Sequence, residues 1–228
     1  MIGKVDRSEV VAGGGQAAKA AVLTGALVGS AYLMTVALQS DSGRWLGWVT
    51  LLPVFLAIQV LSPARALLAG ALWGFSVCFF SARAEGVGLA TSLRSYALLT
   101  AIPALYAFAG ARVTRKVGFS PLLLGLGWVG VEIALKPLAL HNGLLAGTQD
   151  GGLFIQTIGN VAGWALVAFL VAYVNASLLS MLTVVCASAP RSPYLRGIGG
   201  AAARLFFLEG RVYVAHVVSE ARPRAPPF

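Results

Sequence analysis

Apolar runs of about twenty residues recur along this chain, and no other feature narrows its possible folds as far. Roughly 20 apolar residues in a helix cross the ~30 Å hydrocarbon of a bilayer, where only helices and closed barrels satisfy every backbone donor and acceptor. Six runs can be drawn, at 20–38, 46–61, 66–82, 90–111, 121–140, and from 153 or 161 to 186. Composition agrees, with 58% of the 228 residues hydrophobic and only 11% charged, against about a quarter charged in a soluble domain. The expected fold is all-α: a polytopic transmembrane helical bundle of about six spans, with a cytoplasmic C-terminal amphipathic segment. Residues 1–19 form an N-terminal cytoplasmic segment, 20–188 the membrane domain, and 189–228 a basic, Pro-containing tail. The second and third spans are short, which predicts little tilt or a tight hairpin around "SPAR". Residues 153–163 read either as a separate half-helix or as the start of one very long span.

Basic residues predict the orientation, because Lys and Arg accumulate on the cytoplasmic side. With the N-terminus inside, only Arg44, Arg83, Arg94 and Lys136 fall outside, and the other thirteen of the 17 Lys and Arg fall inside. The expected location is the bacterial cytoplasmic (inner) membrane, multi-pass, with both termini cytoplasmic. No clean cleavage site precedes "SDSGR", so the first span is expected to be retained. The net charge of +9 fits a basic face on anionic lipid, and nucleic acid is not an expected partner. In the tail, Arg196, Arg204 and Arg211 fall near one helical face, as in a basic helix lying on a leaflet. The alternation in "RVYVAHVV" equally suits a strand against a partner. Membrane phospholipid, and a membrane-protein complex docked through this tail, are the expected partners.

Charged residues inside spans are functional candidates by default. "WVGVEIALKPLALHNG" (128–143) places Glu132 and Lys136 four positions apart, with Pro137 behind them. Lysine can snorkel to the headgroups; glutamate is too short. The spacing predicts an ion pair on one helix face, with Arg94 able to share the carboxylate. Pro137 is expected to leave the Ile133 carbonyl free and bend the helix end. His141 and Asn142 follow at the interface. Glu132 then serves as a structural lock between the fourth and fifth spans, as part of a lipid-headgroup pocket, or as a step in a proton or ion path. The candidate polar cluster comprises Arg94, Trp128, Glu132, Lys136, His141, Asn142 and Gln149.

Other chemistry has little to stand on. Cys78 and Cys186 read as buried small hydrophobes. "AGGGQAAKA" is not a phosphate-cradling loop, since no Ser or Thr follows Lys19. His141 and His216 fall on opposite sides of the membrane, so no metal or cofactor is expected. Gly70 and Gly74 in "GALWG", and Gly159 and Gly163 in "GNVAG", have the spacing that lets helices approach closely.

Several of these stretches resemble the membrane half of bacterial apolipoprotein N-acyltransferase. "WLGWVTLLPVFLAIQVLSPARALLAGALWGFSVCFF" is similar to that family's second and third spans, with Pro53 at the family's proline. "GWVGVEIALK" is similar to its fifth span, where Trp128 and Glu132 match, Leu135 occupies the arginine position and Lys136 stands one place later. "GTQDGGLFIQTIGNVAGWALVAFLVAYVNASL" resembles the stretch leading into its sixth span, with Gly147, Gln149, Gly163 and Asn175 at comparable places. "HNGLLA" lacks the family loop's Phe, Pro and Trp. The family also carries a nitrilase-like domain after a seventh span, whose Glu, Lys and Cys perform acyl transfer. Nothing in this chain matches that domain, so the resemblance, over about residues 20–180, implies the scaffold without the catalyst.

Three functions follow. The first is a non-catalytic structural or accessory subunit of a membrane complex. The alternative is a lipid-binding module in lipoprotein acylation, beside a separate catalytic partner. The third is an enzyme on membrane lipid using Glu132, Lys136 and His141 as acid and base.

Overall fold

A computed structural model describes residues 7–84, 93–138, 143–149 and 153–188. His141, Asn142 and the tail 189–228 lie outside the described residues, as does the side chain of Cys186. Everything described is helix or short connection. Six helices are long and apolar enough to cross a membrane: Gln16–Gln39, Asp41–Val60, Pro63–Arg83, Leu93–Val117, Pro121–Leu138 and Trp164–Val185. Such a set is consistent with a multi-pass membrane protein. Met1–Ser180 forms one compact unit, and Met181–Phe228 a second of which only the last turns of a helix are described.

Helix α1 (Arg7–Gln39) buries Leu27, Ala31 and Met34, the i, i+4, i+7 stripe of a helix with one packed face. It leans on α3 (Pro63–Arg83) through two polar contacts. Trp73 Nε1 donates to Ser30 Oγ at 3.1 Å, and the hydroxyls of Thr35 and Ser81 meet at 3.5 Å. Ser62 caps α3 by accepting from the Arg65 N–H, with Pro63 in the first turn, where a missing N–H is harmless.

The second span is broken. Asp41–Trp48 is a 3-10 helix, residues 49–51 turn, and α2 runs from Leu52 to Val60. This corrects the short 46–61 helix expected from sequence. A 3-10 helix rises about 2 Å per residue against 1.5 Å in an α-helix. Eight residues of the first and nine of the second therefore cover about 30 Å.

Helix α4 (Leu93–Val117) carries Pro103 in its interior, so the Leu99 carbonyl loses its usual N–H partner. That carbonyl and Pro103 are what α3 meets at Gly74, while Gly70 lies against the Pro103 carbonyl and Ala104. A Cβ at either glycine would overlap this backbone. The expected close approach through Gly70 and Gly74 is therefore present, and it is centred on a proline.

Gly118, at φ 86°, ends α4. Ser120 caps α5 (Pro121–Leu135), accepting from the Leu123 N–H, again with a proline in the first turn. Helix α6 (Leu153–Ala162) and helix α7 (Trp164–Ser188) are separated by Gly163 at φ 88°. Residues 153–163 are thus a separate short helix. Gly159 faces the Trp164 ring and Gly163 faces nothing within 4 Å, so this glycine pair makes a corner rather than the expected helix–helix face.

Candidate functional site

The polar residues gather at the end of the bundle where α1 stops and α5 ends. Trp128 of α5 is fully buried. It stands edge-on to Trp73 of α3 at 5.9 Å and to Tyr106 of α4 at 5.2 Å, measured between ring centroids. Such perpendicular pairs place a positive ring edge on a negative face. Tyr106 Oη donates to the Leu124 carbonyl at 2.9 Å, which pins α4 to α5. The indole of Trp128 is therefore fixed, and its Nε1 donates to Glu132 Oε1 at 3.1 Å.

Glu132 is buried, in the last turn of α5 rather than deep in a span. Its Oε2 accepts from the Leu144 N–H and its Oε1 from the Leu145 N–H, both at 2.6 Å. Consecutive backbone N–H groups converging on an anion form a nest. Gly143, at φ 86°, lets the chain turn into that nest, and a Cβ there would overlap the carboxylate.

Lys136 is not the partner. The α-helix stops at Leu135, and Lys136–Leu138 continues as a 3-10 turn. Lys136 and Arg94 are both exposed. Among the described residues the ion pair is Asp41–Arg44, so the expected Glu132–Lys136 pair, and Arg94 sharing it, are corrected. The physical reason lies in supply: two backbone N–H groups and an indole N–H already surround the carboxylate, whereas Lys136 can reach water. The Ile133 carbonyl is not left free by Pro137, because the Lys136 N–H closes onto it.

From Glu132 the polar contacts run on through the return loop. Gly143 to Gln149 ends in a 3-10 turn, Ala146–Gln149, where Thr148 Oγ1 donates to the Leu145 carbonyl at 2.7 Å. Gln149 clamps this loop to the second span. Its Nε2 donates to the Arg44 carbonyl at 2.8 Å, and its Oε1 accepts from Trp48 Nε1 at 2.9 Å. Gly47 must be glycine for the two segments to touch, since a Cβ would run into Thr148 Oγ1 and the Gln149 amide.

Asn175, fully buried in α7, completes the frame at the helix break. Its Oδ1 accepts from the Leu51 N–H at 3.0 Å, and its Nδ2 donates to the carbonyls of Gly47 at 3.0 Å and Val171 at 2.9 Å. The N–H and C=O freed by the break at 49–51 are thus satisfied by one amide, as a low-dielectric interior requires.

Of the candidate cluster, the structure brings Trp128, Glu132 and Gln149 into one frame and leaves Arg94 and Lys136 outside it. Sequence reasoning did not select Gly47, Trp48, Thr148 or Asn175 for this site. Asn175 carried a signal, being an amide in the middle of the apolar "VAYVNASL". Among the described residues, no three His, Cys, Asp or Glu side chains come together as a metal would need.

Beside the frame lies a cleft of about 320 Å³. The end of α1 (Leu38, Gln39), Asp41, Arg44, Thr148 and Gln156 line it. No family model, curated protein or solved structure matches this chain, so the site's reading rests on its geometry.

Proposed function

We propose that this chain is a non-catalytic integral membrane protein whose polar end, set at the outer leaflet, holds a lipid headgroup as a module beside a separate catalytic partner. One observation carries the reading. Glu132, Gln149 and Asn175 are spent on backbone N–H and C=O groups or an indole, building a rigid frame beside a cleft lined by Asp41 and Arg44. A general base needs a free lone pair within reach of a substrate. Glu132 instead directs both oxygens at the loop, and Cys78 is fully buried in α3.

The test is co-purification of the full chain in mild detergent, with bound lipid identified by mass spectrometry. Retention of lipid through gel filtration supports the reading; a lipid-free protein that rebinds nothing from added phospholipid ends it.

A second reading, an accessory subunit of a membrane complex, draws on α1. From Gln16 to Ala26 this helix is exposed nearly all round, with Leu23 its buried position. It presents alanines, Gly25 and Gly29, and a Cβ at either glycine would meet nothing within 4 Å. The lipid-facing side of α5 instead shows Leu122, Leu123, Leu126 and Ile133. Small residues are what a second membrane helix packs against. Native gels in mild detergent test it, and a single monomeric species argues against it.

A further inference from the structure

The end of the bundle away from Glu132 gathers cations with no carboxylate to meet them. Arg65 stands in the first turn of α3, and Arg112, Arg115 and Lys116 in the last two turns of α4, all four exposed. The two groups meet at the turn between α2 and α3, where Arg115 Nη2 donates to the Leu61 carbonyl at 3.3 Å. The Arg112 guanidinium lies over the Phe108 ring, 5.0 Å from its centroid, and Lys116 follows one turn later on the same helix face. Of the described side chains the carboxylates are those of Asp41 and Glu132, both at the far end of the bundle. The helix dipole accounts for Arg115 and Lys116, since cations are favoured at a helix C-terminus. It does not account for Arg65, a cation at a helix N-terminus, nor for Arg112 and Lys116 together, like charges four positions apart.

We propose that this cluster holds one lipid with two phosphodiesters joined by a short spacer, the form of cardiolipin, in the leaflet at that end. One phosphate meets Arg65 and Arg115 beside the α2–α3 turn, and the other meets Arg112 and Lys116 on α4. The surroundings select a lipid. Leu68, one turn beyond Arg65, and Val113 and Val117, beside Arg112 and Lys116, are exposed, so the cations border an apolar surface on which acyl chains lie. An acidic protein segment would leave that surface uncovered. Charge selects the headgroup. A lipid with one phosphate leaves one of the two cation pairs unmatched, whereas two linked phosphates supply both pairs for the ordering cost of a single molecule. The basic-residue bias predicts this end to be cytoplasmic, the side on which basic sites between helices hold such headgroups. The cluster is separate from the frame at Glu132 and does not rest on the headgroup-holding reading.

The experiment uses the purified full chain in mild detergent, offered cardiolipin or phosphatidylglycerol of matched chains and read by native mass spectrometry. Wild type should retain one cardiolipin about twenty-five-fold more strongly than phosphatidylglycerol, which engages one cation pair instead of two. Arg65→Gln and Lys116→Gln, each removing one exposed cation, should each weaken cardiolipin retention about fivefold, and the double variant about twenty-five-fold. Arg94→Gln removes an exposed cation at the far end; it is the control and should leave retention unchanged. Thermal unfolding without lipid confirms that each variant is folded. Phosphatidylglycerol held as strongly as cardiolipin by wild type overturns the two-phosphate site. So does cardiolipin retention that Arg65→Gln and Lys116→Gln leave unchanged, or that Arg94→Gln weakens as far as they do.

Discussion

At the residue scale, Glu132 shows how a carboxylate persists among apolar helices without a cation. Backbone N–H groups are already held by the loop, so using them costs less conformational entropy than ordering a lysine side chain. Hydrogen bonds to a charged group contribute about 1.5–3 kcal/mol each. Glu132→Gln keeps the shape but points an NH₂ at one of the three donors. The expected loss is about 2 kcal/mol, read as a lower unfolding temperature in detergent and faster amide exchange at Leu144 and Leu145. Lys136→Ala should change stability by no more than about 0.5 kcal/mol, the ordinary range for a surface position; a loss equal to that of Glu132→Gln would restore the ion-pair idea. Asn175→Leu leaves the Leu51 N–H buried and unpaired, and the Gly47 carbonyl with only the Thr50 hydroxyl at 3.4 Å. At about 1–3 kcal/mol for each orphaned group, this variant should be among the least stable at any single position, by the same thermal measurement.

At the element scale, the α3–α4 crossing and the broken second span are both cases of backbone meeting backbone. Pro103 removes an N–H from α4, and Gly74 brings α3 onto the carbonyl that is left. Gly74→Ala forces these helices apart along their contact and is expected to destabilise by about 3 kcal/mol or more, in the range of severe overpacking. Gly130→Ala is the matched control, since a Cβ there meets nothing within 4 Å. It should be neutral or stabilising by up to about 1 kcal/mol through helix propensity. Parallel expression and melting of the two variants decides the point. The second span reaches across with few residues because its first half is stretched into a 3-10 helix, and that geometry persists only while Gln149 and Asn175 satisfy it.

At the scale of the molecule, the alternation of successive candidate spans places the 118–120 connection, after the fourth, at the opposite end from residues 40–44, after the first, and 143–149, after the fifth. Single cysteines at Ser120 and at Ser42, in a background with Cys78 and Cys186 replaced by alanine, should be labelled by a membrane-impermeant reagent from opposite sides. Labelling of both from one side would remove the six-span arrangement. The basic-residue bias further predicts that Ser42 is the one reached from outside intact cells.

The number and approximate position of the candidate spans were determined by the sequence alone, because apolar length is a local property and a bilayer allows few structures to match it. The start of α5 was equally local, written in Ser120 and Pro121, and so was the spacing of Gly70 and Gly74. The tertiary structure decided which groups meet. Nothing local says that the Glu132 carboxylate takes the N–H groups of residues twelve and thirteen positions on instead of the lysine four positions away. Nor does it say that Asn175 mends a helix break 124 residues earlier. A buried polar group takes whichever partner packing delivers in the right geometry, and packing is a property of the assembled helices, not of any one of them.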